Sequence, residues 1–194
     1  QTFTLNEGES VVISGYSEAN GANLDGFVGA LLESDKPIVV NTGNLAGGMN
    51  NSGFGQDFNL DQIVPLEQVG QEYVIMKGNG SDVTERPLVI AHEDNTEVYI
   101  NGNATPITTL NAGQFILIPT SLFTGPGTNK NMYIYTSKKA FLYQIVGGST
   151  SDATSGFYFI PPLSCFWQKS VDLIPAINEI GTQTDFNGNL IIVT

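Results

Sequence analysis

The sequence predicts an all-β protein built from internally repeated antiparallel sheet units. Two observations carry that reading. Long phrases recur in the same order about a hundred residues apart, and helical signals are nearly absent from a chain rich in strand formers and turn residues. "TLNEGESVVI" at 4–13 returns as "TLNAGQFILI" at 109–118, and "SDKPIVV" at 34–40 returns as "SKKAFLY" at 137–143. "SGF" at 52–54 returns at 155–157, "VPL" at 64–66 as "PPL" at 161–163, and "PLVI" at 87–90 as "NLII" at 189–192.

A weaker half-period lies within the long one. "GESVVI" (8–13), "GQEYVIM" (70–76), "GQFILI" (113–118) and "KSVDLI" (169–174) each set small or polar residues before an apolar run. The first three are followed by a two-strand pattern around a short polar stretch, read as a turn at Ser34–Pro37, Glu93–Thr96 and Thr136–Lys139. Val98-Tyr99-Ile100 and Tyr133-Ile134-Tyr135 flank the later turns with the β-branched and aromatic residues that strands favour. The stretch "SVDLIPAINEI" at 170–180 has some helical spacing, but Pro175 interrupts it. The expected architecture is therefore four quasi-repeats of roughly fifty residues, arranged as β-propeller-like blades. Tandem β-sandwiches are the alternative. The long repeats divide the chain at 1–103 and 104–194, the second truncated. Both ends fall inside strand-like segments, which predicts a fragment of a larger protein.

Composition narrows the function. Hydrophobic residues make up 41% of 194 residues, enough for a packed core, while charged residues make up only 13%. The formal net charge of −12 disfavours nucleic acid and anionic membrane as partners. It suits cations, cationic proteins or uncharged glycans. With Cys165 as the single cysteine, no intrachain disulfide can form, and no zinc-type Cys/His spacing occurs. No apolar run reaches the length of a membrane span.

The residues that could carry chemistry are few. His92 is the only histidine and sits in "VIAHEDNT", without partners at catalytic or metal-binding spacing. Cys165, in "LSCFWQ", has no base beside it and reads as a buried small hydrophobe. Asp57, Asn59 and Asp61 alternate in "DFNLD"; they form a solvated strand face or an irregular calcium site, but not an EF-hand, since Gln62 and Gln68 occupy the Gly and Glu positions. In "GFYFIPP" alternation buries Phe157 and Phe159 and points Tyr158 outward. Tyr158 and Trp167 are the candidate ligand-contact residues, suited to stacking on a sugar ring or a protein. Sequons occur at Asn50, Asn79 and Asn103.

The run "SDKPIVVNTGN", "DFNLDQIVPLEQVGQEYVI", "PLVIAHEDNTEVYING" and "TTLNAGQFILI" resembles the N-terminal domain of the IgGFc-binding protein family. The closest likeness spans about 34–118. The family occurs in mucus-associated animal proteins and in large surface proteins of gliding Bacteroidetes-type bacteria. The resemblance implies a secreted or cell-surface β-rich module used for binding or adhesion, with no catalytic residues. The near absence of cysteine departs from the mucus proteins and favours the bacterial branch. The expected function is a non-enzymatic extracellular binding, adhesion or scaffold module without a cofactor, its partner an extracellular protein or glycan. Loops 43–59 and 119–131 are where contacts would vary between repeats. Further expectations are a carbohydrate-binding domain, a filament-forming unit that pairs with itself or with the rest of its parent chain, and a propeller-scaffold hydrolase. The hydrolase would need two facing carboxylates, for example from Asp57, Asp61 or Glu93.

Overall fold

The computed structural model describes residues 1–15, 26–47, 57–147, 155–164 and 170. The described residues are all-β apart from single 3-10 turns at Leu66–Gln68 and Thr120–Leu122. A two-stranded hairpin, β1 (Asn41–Gly47) and β2 (Asp57–Gln62), precedes a seven-stranded sheet. That sheet contains β3 (Gly70–Met76), β4 (Leu88–Ala91), β5 (Thr96–Ile100), β6 (Thr108–Leu110), β7 (Phe115–Leu117), β8 (Asn131–Gly147) and β9 (Ser155–Phe159).

The 17-residue strand β8 organises the sheet. Its first half pairs with β3 on one side and β5 on the other, and its second half with β9 and β4. β5 continues to β6, β4 continues to β7, and residues 111–114 join β6 to β7. The result is one nearly closed, barrel-like sheet rather than separate blades. Residue 103/104 falls between β5 and β6, which pair with each other. The fifty-residue half-period has no equivalent in the topology: "GQEYVIM" forms β3 beside β8, while "GQFILI" supplies β7 at the end of the strand path.

The polar stretches read as hairpin turns behave differently in the barrel. Ser137–Lys139 lies inside β8, and 92–95 separates β4 from β5 although both pair antiparallel with β8. The pairing shifts between them, from Ala91↔Ala140 to Val98↔Thr136. These stretches are corners in continuing strands. Such irregularities bend a strand and increase its twist, which lets a sheet fold over onto itself. Asn95 takes a positive φ of 57° at this corner, a conformation Asn tolerates better than most residues.

Both halves of the bent sheet face one core. Even-numbered residues of β8 line it: Met132, Ile134, Ala140 and Leu142 are each 0% exposed. Tyr73 and Ile75 from β3, Val89 and Ala91 from β4, Val98 and Ile100 from β5, Leu110 from β6, and Ile118, Phe123 and Ile160 complete the cluster. The Tyr73 hydroxyl accepts the Gly70 N–H at 3.0 Å and donates to the Ala140 carbonyl. It thereby serves backbone groups where the β3–β8 register slips. Burial pushes its pKa up to about 12.

Residues 1–15 and 26–40 contribute no strand among the described residues. They display large apolar side chains to solvent, with Val12 at 89%, Val39 at 74% and Leu31 at 68% exposed. No helix among the described residues is long and apolar enough to cross a membrane.

Candidate binding surface

Alternation along β3, β5 and β8 sends one set of side chains to the core and the other outward. On the outward set, register places Glu72 opposite Tyr135 and Tyr99 opposite Tyr135, so neighbouring strands bring these side chains onto one face. The Tyr99 and Tyr135 rings lie 5.6 Å apart with a 38° tilt. Tyr133 follows on β8, two residues along on the same face. The Tyr99 hydroxyl donates to Glu97 Oε2 at 2.7 Å. That bond to a carboxylate raises the Tyr99 pKa, because it favours the protonated phenol. Partial burial and then a hydrogen bond to Glu72 raise that of Tyr133.

The surface therefore offers Tyr99, Tyr133 and Tyr135, each half-buried, with the carboxylates of Glu72 and Glu97 beside them. Ring faces bordered by acceptors suit an organic cation, a Lys or Arg side chain, or a sugar. The strands are paired on both sides of β8, so the geometry is held by ladder hydrogen bonds rather than by a loop.

The candidates from the sequence lie elsewhere. Tyr158 is on the core-facing side of β9, opposite Gln144, and packs against the core cluster. Its hydroxyl donates to Gln144 Oε1 at 3.2 Å, and burial pushes its pKa up to about 12. Phe157 and Phe159 occupy the other side, where they meet Tyr143 at 4.9 and 5.7 Å. The alternation in "GFYFI" is thus real, but its phase is opposite to the expected one, because β8 is buried on both faces beside β9 and offers both a polar and an aromatic partner. Trp167 and Cys165 lie outside the described residues.

Of the calcium trio, Asn59 is buried, and Asp61 Oδ2 accepts the Phe159 N–H at 2.8 Å. The Asp57 side chain lies outside the described set. Among the described residues no group of at least 3 His, Cys, Asp or Glu is arranged to hold a metal. His92 is half-buried at the β4–β5 corner. Glu93, at the same corner, stands 3.9 Å from Lys138 Nζ, so it and Asp61 serve different partners.

A buried polar cluster sits at one end of the barrel. Glu85 is fully buried, and its Oε1 accepts the N–H groups of Gly80 at 2.7 Å and Gly147 at 2.9 Å. Lys77 Nζ lies 3.9 Å from Oε2 and 3.3 Å from Asp82. A side chain at Gly80 would collide with the Gly147 carbonyl, so glycine is required for this approach. With its oxygen committed to backbone donors, Glu85 acts as a clamp between the 78–85 loop and the end of β8. An open depression lined by Thr108, Thr109, Leu110, Gly113, Gln114 and Phe115 carries no charged side chain.

A family model described as IgGFc binding protein matches residues 1–194, and the chain belongs to that family. No curated protein and no solved structure gives a significant match.

Proposed function

We propose that this member of the IgGFc-binding family is a non-enzymatic extracellular binding module that holds a protein partner on the outer face of β3, β5 and β8. The observation that carries the reading is the Tyr99–Tyr133–Tyr135 surface bordered by Glu72 and Glu97. Tyrosine is enriched at protein interfaces because it supplies large, stiff contact area with a hydrogen-bonding tip. The carboxylates and the net charge of −12 favour a partner presenting Lys or Arg. The family likeness supports protein binding outside the cell, and the setting implied by the sequence is a large surface protein of a gliding bacterium. Calcium at Asp57, Asn59 and Asp61 is not needed for this role.

The test is surface plasmon resonance of the chain against the Fc fragment of IgG, the partner the family's name supplies, and against a lysine-rich basic protein. Tyr99→Ala combined with Tyr135→Ala is expected to weaken binding at least about tenfold. Raising salt should slow association, because the carboxylates are solvent-facing. Equal affinity of parent and double variant for whichever probe binds would sink the proposal, as would selective binding to neutral glycans alone.

A further inference from the structure

The tyrosine face has a centre. Tyr135 lies on β8 between β3 and β5, and register sets Glu72 directly beside it on one side and Tyr99 on the other. Glu97 stands two residues before Tyr99 on β5, so each outer strand carries one carboxylate on this face. Neither carboxylate is loose. Glu97 Oε2 accepts the Tyr99 hydroxyl at 2.7 Å, and Glu72 accepts a hydrogen bond from Tyr133. The Glu97 N–H also donates to Ser137 Oγ at 2.9 Å, which ties that residue to β8. A carboxylate has about four acceptor sites, so one bond from a phenol fixes its position and leaves acceptors for a ligand.

The spacing of those two carboxylates discriminates between basic side chains. Neighbouring strands lie about 4.8 Å apart, so β3 and β5, with β8 between them, are separated by about 10 Å. An ammonium is a point donor, and two hydrogen bonds of about 2.9 Å from one nitrogen bridge about 6 Å at most. A guanidinium is a planar fork with donors on opposite sides, and the same two bonds bridge about 8 Å. Its flat face stacks on an aromatic ring at the same time, and it is more weakly hydrated than an ammonium, so a half-buried ring desolvates it at lower cost. The Tyr99 and Tyr135 rings, 5.6 Å apart and tilted by 38°, supply such a floor.

We propose, on the premise that the tyrosine face is the binding surface, that it selects arginine over lysine: a guanidinium of the partner lies on the Tyr135 ring and bridges Glu72 to Glu97. Tyr135 is then the residue that determines specificity. Tyr99 and Tyr133 are positioning residues, since their hydroxyls act through the two carboxylates they hold. Long-range attraction from the acidic chain draws arginine and lysine alike, and the choice between them is made at contact, by the ring and by the span between the carboxylates.

The experiment is surface plasmon resonance of the whole chain against two peptides of one otherwise neutral sequence, the first carrying several arginines and the second a lysine at each of those positions. Their charges are equal, so the ratio of the two Kd values reports the contact geometry rather than the net charge. The parent is expected to bind the arginine peptide about tenfold tighter or more. Tyr99→Phe combined with Tyr133→Phe keeps both rings and every charge but frees the carboxylates, and should bring the ratio to about threefold or less. Tyr135→Leu, which removes the stacking ring, should do the same. Glu72→Gln combined with Glu97→Gln should weaken both peptides. A variant that merely loses folded protein lowers the signal for both peptides and leaves the ratio where it was. Equal affinity of the parent for the two peptides overturns arginine selection while leaving the basic-partner reading standing. A preference that survives both Tyr135→Leu and the double phenylalanine variant overturns the geometry assigned here. Binding of neither peptide overturns it as well, and the Fc fragment and the basic protein then decide the wider reading on their own.

Discussion

Replacing Tyr73 by Phe tests whether the barrel is held at the β3–β8 slip as described. The ring is 1% exposed and would keep its packing, so the substitution removes only the hydroxyl. What is lost is the acceptor for the Gly70 N–H at 3.0 Å and the donor to the Ala140 carbonyl. Both backbone groups sit where the register jumps between Gly70 and Glu72, so the ladder does not replace the lost bonds. A buried polar group left without a partner costs about 1–3 kcal/mol. With part of that recovered by relaxation, about 2–3 kcal/mol is expected in all. In a barrel of roughly a hundred residues this lowers the thermal midpoint by about 8–20 °C. Urea and thermal unfolding followed by circular dichroism measure it. Tyr99→Phe is the internal control: it also deletes one tyrosine hydroxyl bond, but to Glu97 on the outer face, and should change stability by less than about 0.5 kcal/mol. If the two variants lose equal stability, the buried hydroxyl does not hold the slip and the reasoning is refuted.

Two further outcomes follow from the same interior. Glu85→Gln removes the charge that faces Lys77 and puts an amide donor into a site with backbone donors from Gly80 and Gly147; a loss of about 2–4 kcal/mol in urea unfolding is expected, little changed by added salt. Tyr73, Tyr143 and Tyr158 are each pushed up to about 12 from 10.0, chiefly by burial. Where the native pKa of a phenol is raised, the unfolded chain gives up that proton at lower pH than the folded one, so the stability the group contributes is whole below about pH 10 and is lost as pH climbs toward 12. The urea midpoint should be flat from about pH 8 to 10 and fall steeply above it, and a midpoint that holds level to pH 12 would contradict the burial of these rings.

The all-β class was legible because propensity and alternation act locally. Val98-Tyr99-Ile100 and Tyr133-Ile134-Tyr135 are strands, as their side chains require. The count and closure of strands were not legible. Ser137, Lys138 and Lys139 look like a turn, since polar residues between apolar runs relieve backbone groups in either case. Whether such a stretch reverses the chain or merely bends it depends on the partner strand. Here β8 holds β5 on one side of the corner and β4 along the same edge beyond it, so the chain runs on. The hairpin expectation failed at that point: Thr136–Lys139 lies within the one strand β8, and residues 92–95 lead from β4 to β5 along one edge of β8 instead of reversing the chain. The repeated phrase "TLNxG" was informative for a different reason. Its turn is closed by its own Asn and Glu or Gln side chains, so its geometry travels with its sequence.

Site residues resist sequence reading when each face of a strand is apolar. In Tyr133-Ile134-Tyr135 alternation separates the tyrosines from Ile134, but tyrosine and isoleucine are both plausible core residues, and nothing local says which set turns inward. Tyr158 was assigned the wrong side on the same ambiguous pattern. The deciding facts are non-local. Ile134 pairs with Tyr73 and Ile100, which are buried, and so Tyr133 and Tyr135 must face out. Glu72, sixty-odd residues earlier in the chain, reaches the same face only through the β3–β8 register. A signal did exist in the charges: Glu72 and Glu97 each stand at an outward position on strands whose inward positions are apolar, and a carboxylate without a buried cation marks solvent. Carried across paired strands, that rule would have turned the tyrosines beside them outward as well, and the surface follows from the pairing of β3, β5 and β8 alone.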